Sequence, residues 1–75
     1  MNNKRRQQLR DLVQKMEILK GGLESILSDE EEYFDMMPEN LQGSMNGMNS
    51  EEAIDKMNDA IVCIEEAVES IEEII

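Results

Sequence analysis

The chain has 75 residues, one cysteine and no histidine, and its formal net charge is −11. A chain of this length forms one domain (1–75) and buries only about 60% of the surface that its unfolded form exposes, so small domains usually need disulfides, metals or oligomerisation. One cysteine excludes an internal disulfide, and the lack of histidine removes the commonest metal ligand and general base. These facts favour an oligomer and argue against an enzyme, a metal site or any cofactor.

Composition also bounds the fold class and the location. Aromatic residues are limited to Tyr33 and Phe34, whereas Leu, Ile and Met are plentiful, which favours an all-α protein over a sheet. No apolar run approaches the ~18 residues of a membrane span. The basic N-terminus is not followed by the apolar run of a signal peptide. We therefore expect a cytoplasmic protein that does not contact membranes.

Charge is distributed unevenly along the chain. Residues 1–20 hold six of the seven basic groups and two acids, whereas residues 21–75 hold sixteen acids and Lys56 alone. Such asymmetry indicates either a basic binding arm or two ends that attract each other.

The first predicted helix spans about residues 3–37 and has an uninterrupted heptad stripe. Gly21-Gly22 would cost roughly 1 kcal/mol per glycine in a helix interior. The register nevertheless carries across the pair, so we predict one continuous helix that ends before Pro38. Val13 and Leu27 widen the stripe, whose members are Leu9, Leu12, Met16, Leu19, Leu23 and Ile26.

Residues 38–49 are rich in Pro, Gly, Asn and Ser, and they predict the single loop of the chain. The second helix is predicted over about residues 50–75. Asn49 or Ser50 is the favoured cap, because Asn49 with Glu52 resembles a capping box. A start at Ser44 is the alternative.

The second helix has a broader apolar face than the first. Its heptad stripe comprises Ile54, Met57, Ile61, Ile64, Val68 and Ile71, beside an edge formed by Ala53, Ala60, Ala67 and Ile74. Two helices with one loop predict an antiparallel two-helix hairpin, which brings the basic N-terminus beside the acidic C-terminus. Two helices cannot bury both broad stripes. We therefore predict a homodimer that forms a four-helix bundle, with the twelve residues of the two stripes as its oligomer core.

Three features of the sequence suggest a metal site or a reactive thiol, but each lacks something that such a site requires. Carboxylate-rich di-iron bundles need Glu-x-x-His pairs, and the glutamates after residue 64 lie opposite the apolar stripe. The run from Ser28 to Glu32 lacks the spacing of a calcium-binding loop. Cys63 has no basic neighbour that would activate its thiol. A solvated acidic surface and a half-buried small residue are the simpler interpretations.

Two surfaces are candidates for partner binding. A rigid helix pair with spaced carboxylates imitates a phosphate backbone and suits a basic protein partner. The methionine-rich tip between the helices is the other candidate. The basic segment with Lys4, Arg5, Arg6 and Arg10 suits nucleic acid, but an acidic chain without stacking aromatics makes direct binding unfavourable. The candidate partner-binding residues are Phe34, Asp35, Met36, Met37, Leu41, Met45, Met48, Glu65, Glu66, Glu69 and Glu73.

The segment from Tyr33 to Ser44, YFDMMPENLQGS, and the Ala/Ile/Glu-rich run after it carry a family resemblance. The chain resembles small acidic proteins encoded by phages, prophages and plasmids of Firmicutes, which have a Phe-Asp-Asn-x-Pro-Glu-x-Leu-Gln-like turn. Met36 replaces the usual Asn, and residues 45–50 depart from the charged helix formers typical of that family. The resemblance implies a mobile-element origin and no enzymatic activity.

Together these observations predict a non-enzymatic acidic binding protein, which inhibits a nucleic-acid-binding or defence protein of the host by charge mimicry. The alternatives are a structural module that only oligomerises, and nucleic-acid binding through the basic N-terminal segment.

Overall fold

Two long helices make up most of the chain, and the computed structural model describes all of residues 1–75. They are α1 (Asn3–Asp35) and α3 (Met45–Glu72), separated by the single-turn helix α2 (Glu39–Gln42). There is no strand, so the predicted all-α class is confirmed. Neither long helix has an apolar stretch of the length that a bilayer crossing requires.

The long helices pack against each other in opposite directions. At one end of the pair, Arg10 donates a hydrogen bond to the backbone carbonyl of Ile75 at 3.2 Å. Towards the other end, Ser50 donates to the Glu30 carboxylate at 2.7 Å. The result is a rod of 58 × 15 × 13 Å.

Helix α1 is continuous through Gly21-Gly22, as the heptad register predicted. The side chain of Asn2 caps its start by accepting a hydrogen bond from the Arg5 amide at 2.8 Å. The helix ends at Asp35, two residues before the predicted limit of 37. The side-chain amide of Gln42 donates to the carbonyls of Phe34 (3.3 Å) and Met37 (3.2 Å) and so satisfies groups that a helix end leaves free.

The predicted loop over residues 38–49 is wrong. Helix α2 lies within it, and α3 begins at Met45 with Ser44 as its N-cap, whose hydroxyl accepts from the Gly47 amide at 3.4 Å. Asn49 and Ser50 therefore cap nothing, because they lie inside the helix. The alternative start at Ser44 is the one observed.

Small residues at the start of α3 explain this difference. Gly47 is buried against α2, and a Cβ atom there would overlap the backbone of Gln42. Ser50 is 4% exposed and is held by its bond to Glu30. Asn, Gly and Ser are weak helix formers. Here the contacts that only small side chains permit outweigh that weakness.

The seam is the line along which α1 and α3 pack against each other. Its only buried large apolar residues are Leu27, Ile61 and Val68. On α3 the seam follows the predicted stripe and extends it back through Ser50 to Gly47. On α1 it is rotated towards Val13 and Leu27. The remaining seam residues are Leu9, Met16, Lys20, Leu23, Glu30, Phe34, Ile54, Met57, Ile64 and Ile71.

The rotation leaves half of the α1 stripe uncovered. Leu12, Leu19 and Ile26 are exposed, whereas the other nine residues of the predicted oligomer core are buried or half-buried within the single chain. A core shared between two copies therefore stays a prediction.

Candidate functional site

One long side of the helix pair is lined with carboxylates, and we name it the acidic side. Its members each follow a seam residue by one position, which turns them about 100° away from the seam. Because the helices are antiparallel, this same turn brings both rows to one side of the pair. The acidic side consists of Glu17, Glu24 and Glu31 on α1 and Glu51, Glu65 and Glu72 on α3, all exposed.

Almost none of these carboxylates is neutralised. The only ion pair in the structure joins Lys20 to Glu17 at 3.5 Å, within one turn of α1. The two contacts between the helices put residue 10 level with 75 and residue 30 level with 50, so Glu17 lies level with Glu65 across the seam. The carboxylates of the acidic side therefore repel one another and attract cations or basic side chains.

The ends of the chain meet, but with less electrostatic contact than the sequence suggested. Arg10 reaches the Ile75 carbonyl, which agrees with the predicted proximity of the two ends. Lys4, Arg5 and Arg6 form no ion pair with any acid. Exposed long side chains gain little from fixed pairing in water, because screening and lost rotamer freedom offset the attraction.

The four glutamates predicted to bind a partner are all exposed, but they do not form one cluster. Glu65 belongs to the acidic side. Helical spacing puts Glu69 next to that side, whereas Glu66 and Glu73 lie on the outer face of α3. The α1 row of the acidic side was not predicted, because only the position of the seam distinguishes it from other solvated glutamates.

The tip is the turn region between α1 and α3, and it contains an open groove of about 580 Å³. Three predicted tip residues line it, and Met36 is the most exposed of these at 76%. The predicted partner-binding residues did not include Tyr33, Pro38, Ser44 or Asn46. The full lining is Tyr33, Met36, Met37, Pro38, Leu41, Ser44 and Asn46.

The other predicted tip residues divide by exposure. Met45 and Met48 are exposed but do not line the groove, and Asp35 is exposed at the end of α1. Phe34 is half-buried in the seam, where its carbonyl accepts the Gln42 hydrogen bond. At the tip, hydrogen bonds therefore hold the backbone in place, and flexible, polarisable methionine side chains lie exposed beside it.

Neither surface has the features of a metal centre. No group of three or more His, Cys, Asp or Glu side chains is arranged to hold a metal ion. The prediction that Cys63 is half-buried is wrong, because its free thiol is exposed off the seam.

Comparisons with protein-family models, with curated proteins and with solved structures found no match to this chain.

Proposed function

We propose that the chain is a non-enzymatic acidic binding protein, which offers its acidic side to a basic protein that otherwise binds nucleic acid. The observation that carries the proposal is the row of six carboxylates along the acidic side, of which only Glu17 has a basic partner. Uncompensated charge along a rigid rod is what a phosphate backbone presents to a protein. Binding of this kind would inhibit the partner by occupying its nucleic-acid site.

The charge density of the rod supports a paired form of the protein. Eleven net negative charges over 58 Å give about one charge per 5 Å, which is sparser than the 3.4 Å of one DNA strand. Two copies side by side would carry about one charge per 2.6 Å, between a single strand and the 1.7 Å of duplex DNA. The proposal therefore includes a homodimer with a four-helix core.

The proposal also includes a setting. We propose a phage, prophage or plasmid origin from the resemblance of the Tyr33–Ser44 segment, with host nucleases or defence proteins as targets, since nucleic-acid sites are positively charged. The exposed methionines of the tip, Met36, Met45 and Met48, would add apolar contacts to an interaction that charge initiates.

Affinity purification from a bacterial lysate, with elution by short duplex DNA at constant ionic strength, tests the charge-mimicry proposal. A partner whose nucleic-acid site is occupied should be released by DNA and should also be lost as salt is raised, because exposed charges are screened. Proteins that DNA does not release at any concentration would contradict mimicry.

Matched variants connect that result to the acidic side. The triple variant Glu24→Gln, Glu51→Gln, Glu65→Gln removes three charges from it, whereas Asp11→Asn, Glu32→Gln, Asp59→Asn removes three from exposed positions elsewhere. We expect at least a tenfold loss of partner recovery for the first variant and a much smaller loss for the second. Equal losses would mean that net charge alone governs binding.

A second candidate function is a structural module that only oligomerises. Leu19, 68% exposed, and its neighbours along α1 favour it, because isolated chains rarely leave a regular row of large apolar side chains uncovered. Its signature in sedimentation velocity is growth beyond a dimer with increasing concentration, together with no DNA-released partner in the lysate experiment.

Direct nucleic-acid binding through the basic N-terminal segment is the third possibility. Arg10 is already bonded to the Ile75 carbonyl, and the surrounding chain is strongly negative. We expect no gel shift with short single-stranded or duplex DNA at micromolar protein and physiological salt.

A further inference from the structure

A row of large apolar side chains lies exposed along α1. Leu12, Leu19, Ile26 and Tyr33 recur every seven residues, so they share one side of the helix at intervals of about 10.5 Å. Between 48% and 68% of each residue is exposed. The row lies one position before the seam residues Val13, Lys20, Leu27 and Phe34.

Helix α3 supplies a matching row of mostly small residues. Ala60 and Ala67 lie one position before the seam residues Ile61 and Val68, and beyond the end of α3 Ile74 precedes Ile75, which is half-buried. In antiparallel helices, equal rotations away from a shared seam lead to the same side of the pair. This side, opposite the acidic side, is the apolar side. Large side chains on one helix therefore lie beside small ones on the other.

The apolar side is also nearly free of acids. Among the eighteen acidic residues of the chain, only Asp29 occurs in the two rows that border it. Those rows also contain Lys15 and Lys56. Two copies can therefore meet on this side without bringing rows of carboxylates together.

The exposed area exceeds that of a compact monomer by about the amount that a stable interface buries. The accessible surface is 5632 Å², whereas a compact monomer of this mass would expose about 4,700 Å². The excess of about 900 Å² matches the ~800 Å² that each partner buries in a stable interface.

We propose that the apolar side is the surface through which two copies pair. The two-fold axis runs along the rod, so α1 of each copy packs antiparallel onto α3 of the other. Leu19 of one copy then lies between Ala60 and Ala67 of the second, and Ile26 lies between Ala53 and Ala60, which accommodates large side chains against small ones. Lys56 lies about 7 Å along the rod from Asp29 of the second copy, within reach of its long side chain. Both acidic sides face outwards in opposite directions.

This inference rests on the proposed dimer and names the surface that forms it. Sedimentation equilibrium of the full chain should give twice the 8.6 kDa monomer mass. Leu19→Lys should raise the dimer Kd at least 100-fold. Ile18→Lys makes the same charge change on the adjacent residue, which is 75% exposed and points away from both sides, and it should leave the Kd within threefold of wild type.

Two outcomes would overturn the assignment. A wild-type monomer at 100 μM would end both the dimer and this interface. A dimer that survives Leu19→Lys would keep the dimer of the proposed function but move its interface elsewhere. Circular dichroism checks that the lysine variants remain helical.

A charge exchange tests the arrangement even if the lysine variant unfolds. Lys56→Asp alone should weaken the dimer about threefold to tenfold, and adding Asp29→Lys should restore it. Both residues are exposed, and they lie on outward parts of different helices, so the exchange has little effect within one chain. If the two substitutions weaken the dimer additively, Lys56 of one copy does not pair with Asp29 of the other as proposed.

Discussion

The two sides of the helix pair differ in what they present to their surroundings, although the same seam divides them. The acidic side carries six glutamates, of which one has a basic partner. The apolar side carries Leu12, Leu19 and Ile26 beside two alanines and Ile74. A shift of two residues in the heptad, from one after a seam residue to one before it, separates a carboxylate-lined surface from an exposed apolar one.

This difference shows how a very small chain can combine a packed seam with a highly charged surface. Its seam buries only three large apolar residues, Leu27, Ile61 and Val68. Of the eighteen acids only Asp29 borders the apolar side, which leaves that side free to bury more apolar area in the proposed dimer. If acids were spread evenly, each additional buried residue would bring a like-charge contact with it.

The largest effect is expected from breaking the seam on which both sides depend. Ile61→Ala removes a buried side chain and should lower the free energy of unfolding by about 2–5 kcal/mol, because transfer and cavity costs add. Val62→Ala, at the adjacent and 52% exposed position, should change it by less than about 0.5 kcal/mol. Urea denaturation followed by circular dichroism measures both, and similar losses would contradict the observed burial.

A smaller effect is expected from the polar contact that aligns the helices near the tip. Ser50→Ala would leave the half-buried Glu30 carboxylate without its donor and should cost about 1–3 kcal/mol. Ser70→Ala, on the exposed face of the same helix, serves as the control. If Glu30→Gln with Ser50 intact is as damaging as Ser50→Ala, charge on Glu30 matters as much as the hydrogen bond.

The smallest effect is expected from reversing one charge on the acidic side. Glu65→Lys would face Glu17 across the seam and should raise stability by about 0.5 kcal/mol at low salt, since a repulsion becomes an attraction. Glu66→Lys makes the same change in net charge on the outer face of α3. Thermal melts at 20 mM and 500 mM NaCl should show the difference between the variants shrinking as salt screens it. A salt-independent difference would point to packing instead.

Much of the fold could be predicted from local patterns. The spacing of apolar residues indicated both long helices, and the unbroken register correctly carried α1 across Gly21-Gly22. Helix α3 began five residues before its predicted start because Gly47 and Ser50 continue the heptad with residues that do not look apolar. The α1 row of the acidic side was missed for a related reason, since only the position of the seam distinguishes it from other solvated glutamates.

The sequence by itself determined that this chain is helical, acidic and short of core, because periodicity and composition depend on each helix alone. Only the tertiary structure decided which face of α1 meets α3. Leu12 and Val13 are equally suited to a heptad stripe, but the facing helix admits Val13, Met16 and Leu27 and leaves Leu12, Leu19 and Ile26 in solvent. Rotating α1 about its own axis by less than about 100° costs an isolated helix little free energy. When α1 packs against α3, the same rotation determines which side of the pair is apolar and which is acidic.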